Sequence, residues 1–241
     1  MQHCLTLLLL LTSSRISSQD SGAFYNEDDM RLSAQQWKAL RSQHSARNAM
    51  PWSIYYWPQS TLVYSIASGF SKAELSLIAA AMDKISAQTC LRFRRSAQPR
   101  EPQVVIQRKD AGCWSYVGYL GLRQELNLGR NCMLLGIVQH ELLHALGFRH
   151  MHTDPRRDNF VRIAFENIMP EKQRFFVRDT VQGTADLGVD YDYASIMHYG
   201  PFAFSKNGQR TIVPLQGDVH IGQKNGLSAK DVLKLSRIYC T

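Results

Sequence analysis

Apolar residues recur at helical spacing in three stretches of the chain. Leu75, Ile78, Ala79, Met82 and Ile85 fall three or four positions apart, and Ser71-Lys72-Ala73-Glu74 before them has the form of a capping box, which predicts a helix from there onward. Residues 133–146 predict a second helix, stopped at Gly147. Ser228 and Asp231 open a third, which carries Val232, Leu235 and Ile238 inward. Short runs at 62–67 and 104–107, with weaker ones at 115–119 and 125–128, predict strands. Between Phe148 and Leu227 there is little periodicity and many Gly, Pro and Asn breaks, so loops and turns are expected. No internal repeat is visible.

The first residues follow a different pattern. Residues 4–11 read Cys-Leu-Thr-Leu-Leu-Leu-Leu-Leu, an apolar core followed by serines, which predicts a secretory signal peptide over 1–18 although Met1-Gln2-His3 carries no Lys or Arg. Residues 19–47 are polar, with Asp20, Glu27, Asp28 and Asp29 acidic and Arg47-Asn48 a basic cleavage candidate. They are expected to form a pro-segment, leaving 48–241 as one domain. The chain stops directly after that domain, so no appended binding module is expected.

Composition narrows the partners. With 44% hydrophobic and 20% charged residues in 241, a packed core is expected and wholesale disorder is excluded. No run reaches the ~20 apolar residues that span a bilayer, so no membrane partner is expected. The net charge of +8 comes from scattered Lys and Arg, clustered only at 92–95 and 156–157, without a nucleic-acid-binding module. Nucleic acid is therefore not an expected partner, and the protein is expected to be a monomer. Once Cys4 is removed with the signal peptide, Cys90, Cys113, Cys132 and Cys240 remain. An even number in a secreted chain points to disulfides, with three possible pairings.

The chemistry lies in His140-Glu141-Leu142-Leu143-His144-Ala145-Leu146-Gly147-Phe148-Arg149-His150. Residues four apart on a helix exceed one turn by about 40°, so His140 and His144 project from nearly one face and can share a metal. Gly147 lets the chain turn by adopting a positive φ, which brings His150 back as a third ligand. Three His ligands leave a position open, as in catalytic rather than structural zinc sites. Zinc lowers the pKa of a bound water to about 7, and Glu141 can reach that water as a general base. Ser195-Ile196-Met197-His198-Tyr199 supplies the second half of the metzincin signature, the Met-turn. Met197 is expected to pack as a soft floor below the ligands, with Tyr199 facing the zinc.

These motifs resemble the astacin family of zinc endopeptidases, over about residues 48–241. Gly112-Cys113-Trp114-Ser115-Tyr116-Val117-Gly118, Tyr191-Asp192-Tyr193, Ile221-Gly222-Gln223 and residues 227–240 are similar to family text. Asn48-Ala49-Met50 and Ala203-Phe204-Ser205-Lys206-Asn207-Gly208 resemble the hatching-enzyme branch. The resemblance implies an α+β, two-lobed domain with a cleft between the lobes. Its N-lobe would hold a twisted, mostly antiparallel or mixed sheet plus helices, and its C-lobe would be loop-rich with a C-terminal helix. It implies one zinc on His140, His144 and His150, Glu141 as base, and Tyr199 as an extra ligand that swings away to stabilise the oxyanion. It also implies the pairs Cys90–Cys240 and Cys113–Cys132.

The chain departs from the family in several places. The family follows its third His with a Glu that meets the buried mature N-terminus, whereas this chain has Met151 and then His152. The N-terminus, taken as Asn48, is therefore expected in solvent or against another acid. His152 is expected exposed or just behind the ligands. Asp154 and Arg156 exchange the family's Arg and Asp, and the extra cysteine pair of the hatching branch is absent from 48–61. The family's pro-segment motif Phe-x-Gly-Asp is missing, leaving Asp28 or Asp29 as the acid to block zinc. The expected function is that of a secreted zinc endopeptidase acting on protein or peptide substrates through a zinc-bound water, with egg-envelope proteolysis as its setting. The alternative is a catalytically impaired binding protein on the same fold.

Overall fold

The computed structural model describes residues 24–41, 52–179, 187–217 and 219–240. The predicted signal peptide and the predicted Arg47-Asn48 cleavage site lie outside these residues.

A seven-stranded sheet forms one half of the molecule. Its strands are β1 (Phe24–Glu27), β2 (Met30–Ser33), β3 (Thr61–Ile66), β4 (Arg92–Arg95), β5 (Gln103–Gln107), β6 (Cys113–Tyr116) and β7 (Arg123–Leu128), in the order β1-β2-β6-β7-β5-β3-β4. The sheet is mixed. β3 pairs in parallel with β4 and β5, β5 with β7, and β2 with β6, while β1–β2 and β6–β7 are antiparallel. Parallel pairing therefore predominates.

Helices α1 (Ala34–Arg41), α2 (Lys72–Ser86), α3 (Leu135–Ala145) and α4 (Ala229–Tyr239) complete the regular structure, with a two-stranded sheet of β8 (Val161–Ile163) and β9 (Ile212–Pro214). The expected capping box is formed: Ser71 Oγ accepts from Glu74 N, and Glu74 accepts from Ser71 N. The buried stripe of α2 is Ile78, Ala81, Met82 and Ile85, whereas Leu75 and Ala79 face solvent. Of the five apolar positions that mark the helix, Ile78, Met82 and Ile85 are thus the buried ones.

Two apolar cores fill the two halves of the molecule, and a third, small cluster of Met30, Leu32, Leu40 and Val117 packs the N-terminal segment against the sheet. The larger is built from the sheet, α2, α3 and α4 around Leu62, Ile106, Leu126 and Leu142. The smaller, around Val161, Ile168, Phe176 and Ile212, fills the loop-rich half. The disulfides Cys90–Cys240 and Cys113–Cys132 form the pairs implied by the resemblance, with Cα separations of 5.5 and 5.7 Å.

Strands β1, β2 and β4 carry no sequence signal strong enough to predict them. Phe-Tyr-Asn-Glu and Met-Arg-Leu-Ser are four residues each, and Arg92-Phe93-Arg94-Arg95 reads as a basic cluster. β4 forms because it is an edge strand, where charged side chains are tolerated in solvent. β2 forms because the free edge of β6 is there to pair with.

Candidate metal centre

Helix α3 is buried along nearly its whole length, and it delivers the candidate ligands. Gly136 lies so close to the segment of Lys224 that a Cβ would meet the Lys224 carbonyl oxygen at 1.9 Å, which fixes how near the helix start approaches that strand of backbone. The helix ends as the spacing predicts. Phe148 N donates to Leu143 O and Gly147 N to His144 O, the two bonds of a Schellman motif, with Gly147 at φ 98°. The chain then turns and sets His150 beside His140 and His144.

The three imidazoles converge. His140 Nε2 and His144 Nε2 are 3.1 Å apart. His140 Nδ1 is 2.8 Å from Ile196 O and His144 Nδ1 is 2.8 Å from Phe148 O. The hydrogen-bond network thus assigns each ring proton to Nδ1 and leaves the facing Nε2 atoms as bare lone pairs. Asp29 enters the same space: its carboxylate lies 3.1 Å from His140 Nε2, 3.4 Å from His144 Nε2 and 3.0 Å from His150 Nε2. Neither Asp29 Oδ1 nor His150 Nε2 completes a hydrogen bond. Lone pairs and a carboxylate packed this closely repel one another unless a cation lies among them. Three imidazoles and one carboxylate, with all four donor atoms within 4.8 Å, fit zinc. The His140 proton affinity falls to about 3, chiefly through burial, so the ring is neutral and ready to ligate.

Glu141 and Tyr199 flank the cluster. Glu141 is buried, and Glu141 Oε2 has no partner among the described residues. Burial pushes its pKa well up, and the charges of Asp29 and Asp28 add to the rise. The Tyr199 hydroxyl donates to Asp28 Oδ2, so two adjacent acids engage the histidines and the phenol. Asp28 holds φ 58° in the β1–β2 turn, a left-handed conformation that Asp tolerates. Of the two acids proposed to face the metal, Asp29 is the one among the histidines.

The Met-turn is held from α4. Asp231 is the N3 residue of its capping box and also accepts from Ser195 Oγ at 2.6 Å and Ile196 N at 3.0 Å. One carboxylate thus starts the helix and fixes the turn whose Ile196 carbonyl orients His140. Met197 is buried in the larger core, as expected of a floor residue.

His152 is fully buried, so it lies behind the ligands rather than in solvent. Its ring stacks on Tyr199 at 3.9 Å and lies 5.4 Å from the His150 ring. Met151 is buried too, with its sulfur 3.3 Å from Lys234 Nζ. Beside it is a cavity of about 100 Å³ whose lining includes Asp154, Asp179 and Lys234. The exchanged residues Asp154 and Arg156 pair with each other through two contacts of 3.1 Å.

His198 makes two bonds as a neutral ring: Nδ1 lies 2.7 Å from Tyr199 O, and Nε2 lies 2.7 Å from the Tyr191 hydroxyl. Burial lowers its pKa to about 4. The unfolded chain binds this proton below pH ~6.5, and the folded chain does so only near 4. The stability it confers is therefore present above ~6.5 and lost as pH falls toward 4. Between pH 7 and 5, His198→Gln is expected to lose about 2 kcal/mol less unfolding free energy than the unaltered protein, read by urea denaturation. Equal losses in both proteins would show that His198 is not buried neutral.

The sequence pattern of the Astacin family of peptidases matches residues 50–240. The chain belongs to the astacin family. High choriolytic enzyme 1 of Oryzias latipes is 40% identical over 203 residues, covering 80% of this chain and 73% of that protein. The solved structure of that hatching enzyme superposes with a TM-score of 0.74 at 38% identity, covering 79% of this chain and 97% of the other. Zinc metalloproteinase nas-15 of Caenorhabditis elegans is 39% identical over 192 residues, 80% of this chain. This astacin spans only 34% of the length of nas-15, and 53% of the Gallus gallus astacin-like metalloendopeptidase. Zinc is the metal in the names of such relatives, and the donors assembled here suit it.

Two contacts escaped the sequence reading: the pairing of Arg149 with Asp179, and that of Arg149 with Glu27. The only signal was an arginine standing between Phe148 and His150.

Proposed function

We propose that this chain is a secreted zinc endopeptidase, held latent by residues 19–47 until cleavage before Asn48. The observation that carries the reading is the convergence of three imidazoles, with the Nε2 lone pairs of His140 and His144 turned inward, beside buried Glu141, with Asp29 filling the remaining side. His140, His144 and His150 would hold the metal. When bound, zinc supplies a Lewis acid that acidifies water and polarises the peptide carbonyl. Glu141 takes a proton from the attacking water and passes it to the leaving amine. Tyr199, once free of Asp28, donates its hydroxyl hydrogen bond to the oxyanion. With the whole set present, a binding protein without catalysis is the weaker reading.

The test is casein hydrolysis by the chain cleaved before Asn48, with and without a zinc chelator. Chelator-sensitive hydrolysis is expected, and a metal-loaded, folded chain that cuts nothing would refute the reading. The likeness to a hatching enzyme supports egg-envelope proteins as substrates, which a digest of isolated envelopes tests directly.

Tyr199→Phe keeps the ring that stacks on His152 and removes only the hydroxyl. It is expected to lower kcat by about 10²-fold with little change in KM. A change confined to KM would move Tyr199 to substrate binding.

Met151 cannot balance a buried ammonium, and the neighbouring acids Asp154 and Asp179 are engaged by Arg156 and Arg149, so the N-terminus is expected to reach solvent. Forms beginning at Arg47, Asn48 and Ala49 should then differ little in kcat/KM and Tm. Activity restricted to the Asn48 form would place the N-terminus in a specific buried pairing.

A further inference from the structure

The fold treats the two basic clusters of the sequence differently. Arg156 pairs with Asp154 and Arg157 with Asp158, so the cluster at 156–157 is taken up in ion pairs. The cluster at 92–95 is strand β4, the outermost strand of the seven-stranded sheet beyond β3. Arg92, Arg94 and Arg95 are exposed there, and so is Arg100 in the turn that follows. Of these four, Arg94 alone has an acidic partner among the described residues: its Nη2 donates to Glu101 Oε2 at 2.9 Å. Glu101 also accepts from Ala97 N at 2.8 Å, which folds the turn back against the strand and keeps Arg100 near β4. Arg92, Arg95 and Arg100 make no ion pair with the described residues.

An edge strand leaves both faces and its rim open, so side chains that alternate along it can all reach one molecule lying along the edge. Arg92 stands opposite Thr61 and Arg94 opposite Val63 in the pairing with β3. Thr61, Val63 and Arg94 line a cavity of about 210 Å³, with Trp57, Pro102 and Tyr119 as its ring-bearing wall. The basic edge thus borders a hollow walled largely by rings. A charge that only guards an edge against pairing can have either sign. Here residues 92–101 carry four arginines and one acid, which attracts one sign only. The guanidinium fork holds an oxyanion through two parallel hydrogen bonds.

The edge is also remote from the metal cluster. β4 lies four strand spacings from β6, about 19 Å. β6 is the strand that carries β2, next to the Asp29 that meets the histidines. A molecule bound along β4 therefore leaves the cluster open.

We propose that the β4 edge, through Arg92, Arg95 and Arg100, is a binding surface for a sulfated polysaccharide, which holds the protein on an anionic matrix while its cleft stays free. Only the secreted setting is taken from the protease reading. The two disulfides fit an oxidising compartment, and outside the cell sulfated glycans rather than nucleic acids are the common polyanions.

The test titrates a fluorescein-labelled heparin oligosaccharide onto the full chain by anisotropy, at several salt concentrations. Arg92→Gln, Arg95→Gln and Arg100→Gln together are expected to raise Kd at least about tenfold near physiological salt. They should also flatten the slope of log K against log salt by about 2, the value for three lost contacts. The comparison is Arg174→Gln, Lys206→Gln and Arg210→Gln, three exposed cations of the loop-rich half whose loss lowers the net charge equally. It should leave Kd within about threefold, because charges beyond a Debye length are screened. Equal loss in the two triple variants makes the binding a matter of net charge and overturns the proposal. Binding of the desulfated oligosaccharide, or of a single-stranded DNA of equal charge, as tightly as the sulfated one also overturns it, as does no binding at all near physiological salt. Thermal melting checks that the altered chain folds. If the triple variant does not, Arg100→Gln alone should flatten the slope by about 1, and an unchanged slope overturns the proposal. With the chain cleaved before Asn48, saturating oligosaccharide should leave hydrolysis of a short peptide unchanged, and competitive inhibition would overturn the proposal by putting the glycan in the cleft. Binding needs no turnover, so absence of hydrolysis counts against the protease reading alone.

Discussion

Replacing Glu141 with alanine is expected to lower proteolysis by the cleaved chain by at least about 10²–10⁴-fold while one zinc per chain stays bound. Glu141 lies beside the three-histidine cluster and contributes no atom to it. Its carboxylate is buried with Oε2 unpartnered, so its removal opens space without breaking a hydrogen bond at that atom. Metal retention separates loss of a base from loss of the site. Zinc content by atomic absorption and kcat/KM on a quenched peptide are the two measurements. Near-normal turnover with zinc present would remove Glu141 from the mechanism. Loss of zinc together with activity would make it a structural support of the site.

The second large effect is expected from the uncleaved chain. Asp29→Ala removes the one carboxylate that lies among His140, His144 and His150 in the described residues, and the β1–β2 turn loses its hold on the cluster. A buried charge-assisted contact of this kind contributes about 1.5–3 kcal/mol, and a metal ligand contributes more. Asp29→Ala is therefore expected to raise the proteolytic rate of the full-length chain by about tenfold or more, without cleavage before Asn48. Asp28→Ala should do less, because Asp28 holds Tyr199 rather than the histidines. The measurement is the initial rate of the uncleaved protein, with cleavage before Asn48 blocked by Arg47→Ala. If Asp29→Ala stays as silent as its parent while the cleaved form is active, latency comes from the bulk of the segment and not from this carboxylate.

Both expectations draw on residues that differ in how visible they were in the linear chain. The histidine motif was readable because helical geometry is local: a four-residue spacing and a Gly after the last turn place three imidazoles without reference to the rest of the fold. The capping boxes of α2 and α4 were readable for the same reason. Which part of the apolar stripe of α2 is covered, Ile78 and Ile85 but not Leu75 or Ala79, depends on where α3 and the sheet lie. For His152 the linear chain allows solvent or a place behind the histidines, and the packing of Tyr199 against it selects the second.

The sequence by itself determined the candidate ligand set, the candidate base, the two capped helices and, through the family resemblance, the disulfide pairs. Each depends on spacing along the backbone or on a motif carried whole. Only the tertiary structure chose Asp29 over Asp28, paired β2 with the edge of β6, and brought Glu27 to Arg149 across 122 residues. None of those contacts has a local period. An acid in a polar segment reads alike whether it faces solvent or a cation, until the chain closes and desolvation makes the choice of partner costly.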